Sequence, residues 1–195
     1  MKNVEIVNFP LNDGEFSLLF RAKGIVTFRE ACNFLKKIPF GRISQINDFA
    51  LVLTENIGNC SSKHAILAKL AEENLHTEIE LIAGIFLMNE ATHPVLKDFF
   101  KDKSYKSIPE MHCYLRCAKN RFDFTAVIDR MALIETKIVR EQRIEPHQVG
   151  DWKKVLHQDY LQKWLNRNAD WQISLEHLWQ DREECIRLSN LLPLK

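Results

Sequence analysis

Glycine and proline are scarce in this chain, six of each among 195 residues, and no repeat or low-complexity linker interrupts it. Such a sequence favours a mostly helical organisation with short connections. Charge of one sign is missing too: 27 Lys and Arg against 26 Asp and Glu leave a formal +1, so nothing steers the chain toward nucleic acid or an acidic membrane. No apolar run approaches the ~20 residues of a membrane span, and the opening MKNVEIVNFPLNDGEF has none long enough for a signal sequence. The cysteines at 32, 60, 113, 117 and 185 form an odd set without disulfide-framework spacing. They read as reduced thiols in a cytoplasmic protein. What remains is a soluble globular chain, long enough to bury a substantial core.

The pattern along the chain predicts an α+β fold. Residues 16–20 (FSLLF) suit a short strand or the start of the packing. Thr27 can cap a helix running to Lys37, ended by Pro39–Phe40–Gly41. Residues 49–54 (FALVLT) are apolar and of either type. Then IGNCSSKHAILAKLAEENL opens an amphipathic helix, with Ile66, Leu67, Leu70 and Ala71 on one face and Lys63, Lys69, Glu72 and Glu73 elsewhere. Residues 77–88 (TEIELIAGIFLM) read as a strand buried on both faces. In residues 111–117, Met111, Cys113, Leu115 and Cys117 alternate with His112, Tyr114 and Arg116. With residues 122–126 this forms a hairpin. Residues 129–142 look helical, 146–150 break the chain, and 152–166 and 175–191 give two further helices.

Chemistry concentrates on Cys60. A cysteine in a helix's first turn lies near unpaired backbone N–H groups and the positive end of the dipole, which favour thiolate over thiol. The same N–H groups can hold an oxyanion, and Gly58 permits close approach. The hairpin supplies partners: His112 on its polar face, with Asp123 on the matching face of the next strand. A thiol nucleophile needs such a base, and the imidazole needs an anchor. A four-residue loop at 117–120 makes His112 and Asp123 diagonal neighbours; a tighter turn at 119–120 sets Asp123 opposite Arg116. Both registers are open to the sequence. Asn56 and Asn59 are candidates for a second oxyanion donor, or else caps. His64, one turn past Cys60, either touches the site or faces solvent. Trp152 and Trp171 either pack or rim a cleft. A zinc site of His112, Cys113 and Cys117 is disfavoured, because the two sulfurs share a face that the histidine does not.

These pieces in this order resemble the transglutaminase-like superfamily of papain-like thiol enzymes. FREACNFLKKIPFGR is similar to the helix and "lpY-G-R" segment before that family's nucleophile. IGNCSSKHAILAKLAEENLHTEIELIAGIF is similar to its G-x-C block, with Cys60 at the nucleophile. HCYLRC resembles its H-x-W-x-E-V strand, and RFDFT its L-D-P-T strand. Four departures accompany the match: Tyr114 replaces the aromatic Trp, Asn74-Leu75-His76-Thr77-Glu78 replaces Gly-Ile-x-Ala-Arg, Phe124 replaces the proline, and the His-to-Asp interval is short. The resemblance implies a papain-like core over residues 25–126, with 127–195 as a helical C-terminal extension of the same domain. It also implies a catalytic triad of Cys60, His112 and Asp123. Gly58, Tyr114 and His64 would line the site.

The expected activity is acyl transfer or amide hydrolysis through a Cys60 thioester. It calls for no metal or cofactor, and its partner is an amide- or peptide-containing substrate, not nucleic acid or a membrane. Neither the oligomeric state nor the acyl acceptor is legible. The competing expectation is a relative that keeps the fold and only binds.

Overall fold

The run IELIAGIFLM forms the strand on which both halves of the molecule pack: Ile79–Met88 (β1), buried along almost its whole length. The computed structural model describes residues 5–191; residues 1–4 and 192–195, the extreme ends of the opening stretch and of the C-terminal segment, lie outside it. Before β1 come helices Glu15–Arg21 (α1), Phe28–Lys37 (α2), Leu51–Glu55 (α3) and Cys60–Glu73 (α4). After it come Lys97–Phe100 (α5), strands Ile108–Cys117 (β2) and Asn120–Phe122 (β3), the short helix Met131–Ile134 (α6), strand Ile138–Arg143 (β4), and helices Asp151–Asn166 (α7) and Leu175–Leu191 (α8). The four strands make one antiparallel sheet in the order β3-β2-β1-β4. The fold is therefore α+β, with eight helices among the described residues.

Strand alternation divides the core in two. Leu81, Ala83 and Ile85 of β1, with Met111, Cys113 and Leu115 of β2, pack against α1, α2 and α4. Ile82, Phe86 and Met88, with Ile108 and Tyr114, face a second cluster built with α7 and α8. The sheet is covered on both sides, which is why β1 is apolar throughout rather than alternating. No helix among the described residues is long and apolar enough to cross a membrane.

Several elements differ from the sequence pattern for identifiable reasons. Residues 16–20 lie in a helix, not a strand. Glu73, at the end of α4, accepts from the Phe16 and Ser17 N–H groups (2.9 and 2.8 Å) and so caps α1, whose N-cap Gly14 has no side chain to do it. Residues 49–54 resolve largely into α3. The segment 129–142, expected to be helical, has only the single turn α6 and a 3₁₀ turn before it becomes β4, which pairs with the edge of β1. Without it, that edge would leave backbone groups of a buried strand unpaired. The strand expected over 122–126 ends at Phe122. Beyond that point side chains take the donors: Phe124 N–H goes to His64 Nε2 (2.8 Å) and Thr125 N–H to Asp123 Oδ1 (2.8 Å). Nor is α4 amphipathic in its first half, where Ser61 to Ala68 are all buried, Lys63 and His64 included. Trp171 packs against Tyr105 and Trp164 in the second cluster, while Trp152 stays partly exposed.

Gly84, paired with His112 across the β1–β2 ladder, has no room for a side chain. An added Cβ would stand 2.6 Å from Tyr114 Cε1 and 2.7 Å from its hydroxyl oxygen, and Tyr114 is fully buried. Gly84→Ala is expected to destabilise the protein by about 1–3 kcal/mol through overpacking, measured as a lower urea midpoint at unchanged slope.

Candidate functional site

Cys60 is the first residue of α4. Its neighbour Asn59 forms a reciprocal cap, accepting from Ser62 N–H (3.0 Å) while the Ser62 hydroxyl accepts from Asn59 N–H (3.1 Å). This leaves the N–H groups of Cys60 and Ser61 without an acceptor among the described residues. Asn59 is thus a cap, and Asn56 is exposed in a left-handed conformation at the end of α3. Neither lines the cavity at Cys60. Gly58 is buried, bonded through its N–H to Pro39 O and through its carbonyl to Gly41 N–H. It serves packing rather than access.

The β2–β3 register pairs Leu115 with Phe122, Arg116 with Arg121, and Cys117 with Asn120. Continued by one step it sets Asp123 opposite Tyr114, so His112 and Asp123 are diagonal neighbours on one face. This is the four-residue-loop register; Arg116 instead pairs with Glu80 at 2.9 Å. His112 Nε2 donates to Asp123 Oδ2 at 2.9 Å, and Nδ1 is the ring nitrogen left for the thiol. Tyr114 stacks near His112, ring centroids 6.3 Å apart, and its hydroxyl donates to Glu141.

The charges follow from these contacts. The Cys60 thiol is held well below the ordinary thiol range. Hydrogen bonding to the Cys113 thiol does most; burial opposes it, and the charges on His112 and Lys153 add to it. Burial pulls the His112 imidazole down, but the charges of Asp123 and Cys60 outweigh this and carry it up to about 10. Burial also opposes ionisation of Asp123, yet His112 holds its carboxyl below the usual range by charge and hydrogen bond. These contacts favour the ionised forms of Cys60, His112 and Asp123 together.

No family model matches the chain. No curated protein or solved structure matches it either. The site is read from its own geometry.

His64 does not face solvent. Its ring is fully buried, with Nδ1 2.8 Å from the Cys60 carbonyl and Nε2 accepting from Phe124 N–H. A carbonyl only accepts, so the proton sits on Nδ1. Burial keeps the ring neutral by lowering its pKa, and its 3.6 Å approach to Asp123 is not an ion pair. Lys63 is fully buried as well, its Nζ donating to Ile38 O (2.5 Å) and Thr125 O (2.7 Å), and burial lowers its pKa to about 8. Between them, Lys63 and His64 tie the nucleophile's turn to the segment that carries Asp123.

The C-terminal helices contribute charges that the sequence reading did not assign. Lys153 of α7 is 8% exposed, and its only hydrogen-bond partner among the described residues is Ser61 Oγ, 2.9 Å away. Ser61 Oγ lies 3.7 Å from Cys113 Sγ. Burial disfavours this ammonium, but Cys113, Cys60 and Glu110 more than offset that and raise its pKa. Arg182 of α8 grips Glu110 of β2 with two bonds of 2.6 and 2.7 Å, and the ring nitrogen Nε2 of His157 bonds Pro109 O at 2.8 Å. A signal existed: Lys153, His157, Leu161 and Leu165 recur every fourth residue along the buried stripe of α7, and a cation on an apolar stripe calls for a buried partner. Among the described residues no group of three or more His, Cys, Asp or Glu is placed to hold a metal.

A cavity of about 60 Å³ opens beside Cys60 and His112, with Thr125 and Arg130 in its walls. Because a buried cation needs a counter-anion, Lys153→Met is expected to move the midpoint of Cys60 alkylation against pH upward by roughly 1–3 pH units, while Lys153→Arg leaves it nearly in place. Iodoacetamide labelling rates at a series of pH values, read at the Cys60 peptide by mass spectrometry, check this.

Proposed function

We propose that the protein is a thiol-dependent acyl-transfer enzyme with a papain-like, transglutaminase-type core over residues 25–126 and a Cys60–His112–Asp123 triad. The observation that carries this reading is the 2.9 Å bond from His112 to a buried Asp123, with His112 and the helix-start Cys60 lining one cavity. In the first half-reaction the Cys60 thiolate attacks the carbonyl carbon of an amide, forming the S–C bond. The His112 imidazolium then protonates the departing nitrogen as the C–N bond breaks, leaving a thioester. In the second, neutral His112 takes a proton from the acceptor, which attacks the thioester and releases Cys60. Water as acceptor makes the enzyme an amidase, peptidase or deamidase, and an amine makes it a crosslinking enzyme.

Asp123 holds His112 with Nε2–H toward the carboxylate and Nδ1 toward the sulfur, and stabilises the imidazolium. The free N–H groups of Cys60 and Ser61 are the oxyanion donors that this turn offers in place of Asn56 and Asn59. A working thiolate beside a second thiol requires a reducing compartment, which supports a cytoplasmic setting.

Cys60 should label with iodoacetamide at about pH 6 far faster than an ordinary thiol of pKa ~8.5, and His112→Ala should remove that advantage. Cys60→Ala and His112→Ala should each lower turnover of an amide substrate by at least about a thousandfold. A Cys60 that labels at pH 6 no faster than glutathione would instead point to a module that keeps the fold and only binds.

A further inference from the structure

Two residues in the wall of the Cys60 cavity carry a buried donor with no partner among the described residues. Thr125 is 1% exposed, and its Oγ1 has no partner; Arg130 Nε is buried and has none either. Among the described residues the Arg130 guanidinium bonds only Asn190 Oδ1, at 3.0 Å. The other charges nearby are matched: Glu110 with Arg182, and Asp123 with His112. Buried polar groups are rarely left unsatisfied, and two residues with such groups in one cavity wall point to an occupant there.

We infer that this cavity takes the acyl portion of the substrate and that the acyl group carries a carboxylate, held by Arg130 and Thr125. The inference rests on the acyl-transfer reading and gives it a substrate class: amides of acidic acyl groups. A guanidinium and a hydroxyl in the wall of one cavity are best met by a group that only accepts, and the guanidinium favours that group charged. The remaining walls include Met88, Ile134 and Ile186, which suit a methylene stem and strengthen the ion pair by excluding water. About 60 Å³ is several times the ~10–15 Å³ that a single water needs, enough for a carboxymethyl-sized group.

Iodoacetate and iodoacetamide test this without knowledge of the natural substrate. Both form the same S–C bond to Cys60 with loss of iodide, and they differ in whether a carboxylate or a neutral amide enters the cavity. The ratio of the two Cys60 labelling rates, iodoacetate over iodoacetamide, should exceed that of glutathione by roughly tenfold or more. In Arg130→Gln the ratio should fall to that of glutathione, Arg130→Lys should restore part of it, and Thr125→Val should lower it by a smaller factor. In the unaltered protein, glutarate should protect Cys60 from iodoacetamide while glutaramide should not, a readout that needs no variant. A wild-type ratio equal to glutathione's, a ratio unchanged in Arg130→Gln, or equal protection by the two glutaric compounds would overturn the acidic-acyl assignment and leave the thiol chemistry standing. A Cys60 inert to both reagents at about pH 6 would remove the acyl-transfer reading and this inference together.

Discussion

The Asp123 carboxylate, its side chain 1% exposed, is the constraint on which the rest of the site depends. A buried ion costs several kcal/mol unless its lone pairs are met. Here they are met by His112 Nε2–H and by the Thr125 N–H. That solution forces β3 to stop at Phe122, which in turn deprives Phe124 N–H of a ladder partner. His64 accepts it, and can do so only as the neutral ring whose other nitrogen donates to the Cys60 carbonyl. The bonds therefore run from Asp123 through Phe124 and His64 to Cys60, and His112 completes the circuit from the other side. Cys60, His112 and Asp123 are positioned by one continuous polar network, in which loss of one member strands the others.

The helices after β4 belong to this network. α7 lends Lys153 to Ser61, immediately after the nucleophile, and anchors His157 on Pro109. α8 clamps Arg182 on Glu110, two residues before His112. The buried Lys153 ammonium acts on the Cys60 thiol through a region of low dielectric, where such an interaction exceeds its value in water severalfold. The C-terminal layer thus covers one face of the sheet and also supplies charge at the first turn of α4.

Much of this was legible in the sequence. The Thr27 cap, the helix that starts at Cys60, the doubly buried β1 and the alternation of β2 follow from local pattern, and local pattern is what those elements obey. The hairpin register was narrowed to two choices, and the diagonal one stands because it buries Asp123 behind His112. What was illegible lies where tertiary contacts replace local ones. Lys63 read as facing away from the core, and His64 as either lining the site or facing solvent, because nothing in CSSKH shows that Ile38, Phe124 and Thr125 come to meet them. β4 read as helix because Ile138 and Val139 take a strand only when the edge of β1 is offered to them. α1 read as a strand because its cap, Glu73, comes from more than fifty residues away in the chain.

The balance of charge around the thiol bears on what the site accepts. The anions are Cys60, Asp123 and Glu110; His112 and Arg182 answer the last two directly, and Lys153 stands by the first. Lys63 donates to two backbone carbonyls and feels the charges of Asp123 and Cys60 without a direct ion pair among the described residues. Arg130 shares the cavity wall with His112 and Glu110, and among the described residues its guanidinium bonds only an amide oxygen. A positive charge left over beside a nucleophile stabilises a second anion arriving there, and a resting site arranged this way is only part of the complete electrostatic unit. On the proposed acyl-transfer reading, the complement is a negative charge on the acyl group, met by Arg130 while Lys153 and His112 remain beside Cys60. On that reading one cation selects the substrate while others act on the thiol, so recognition and activation can vary independently.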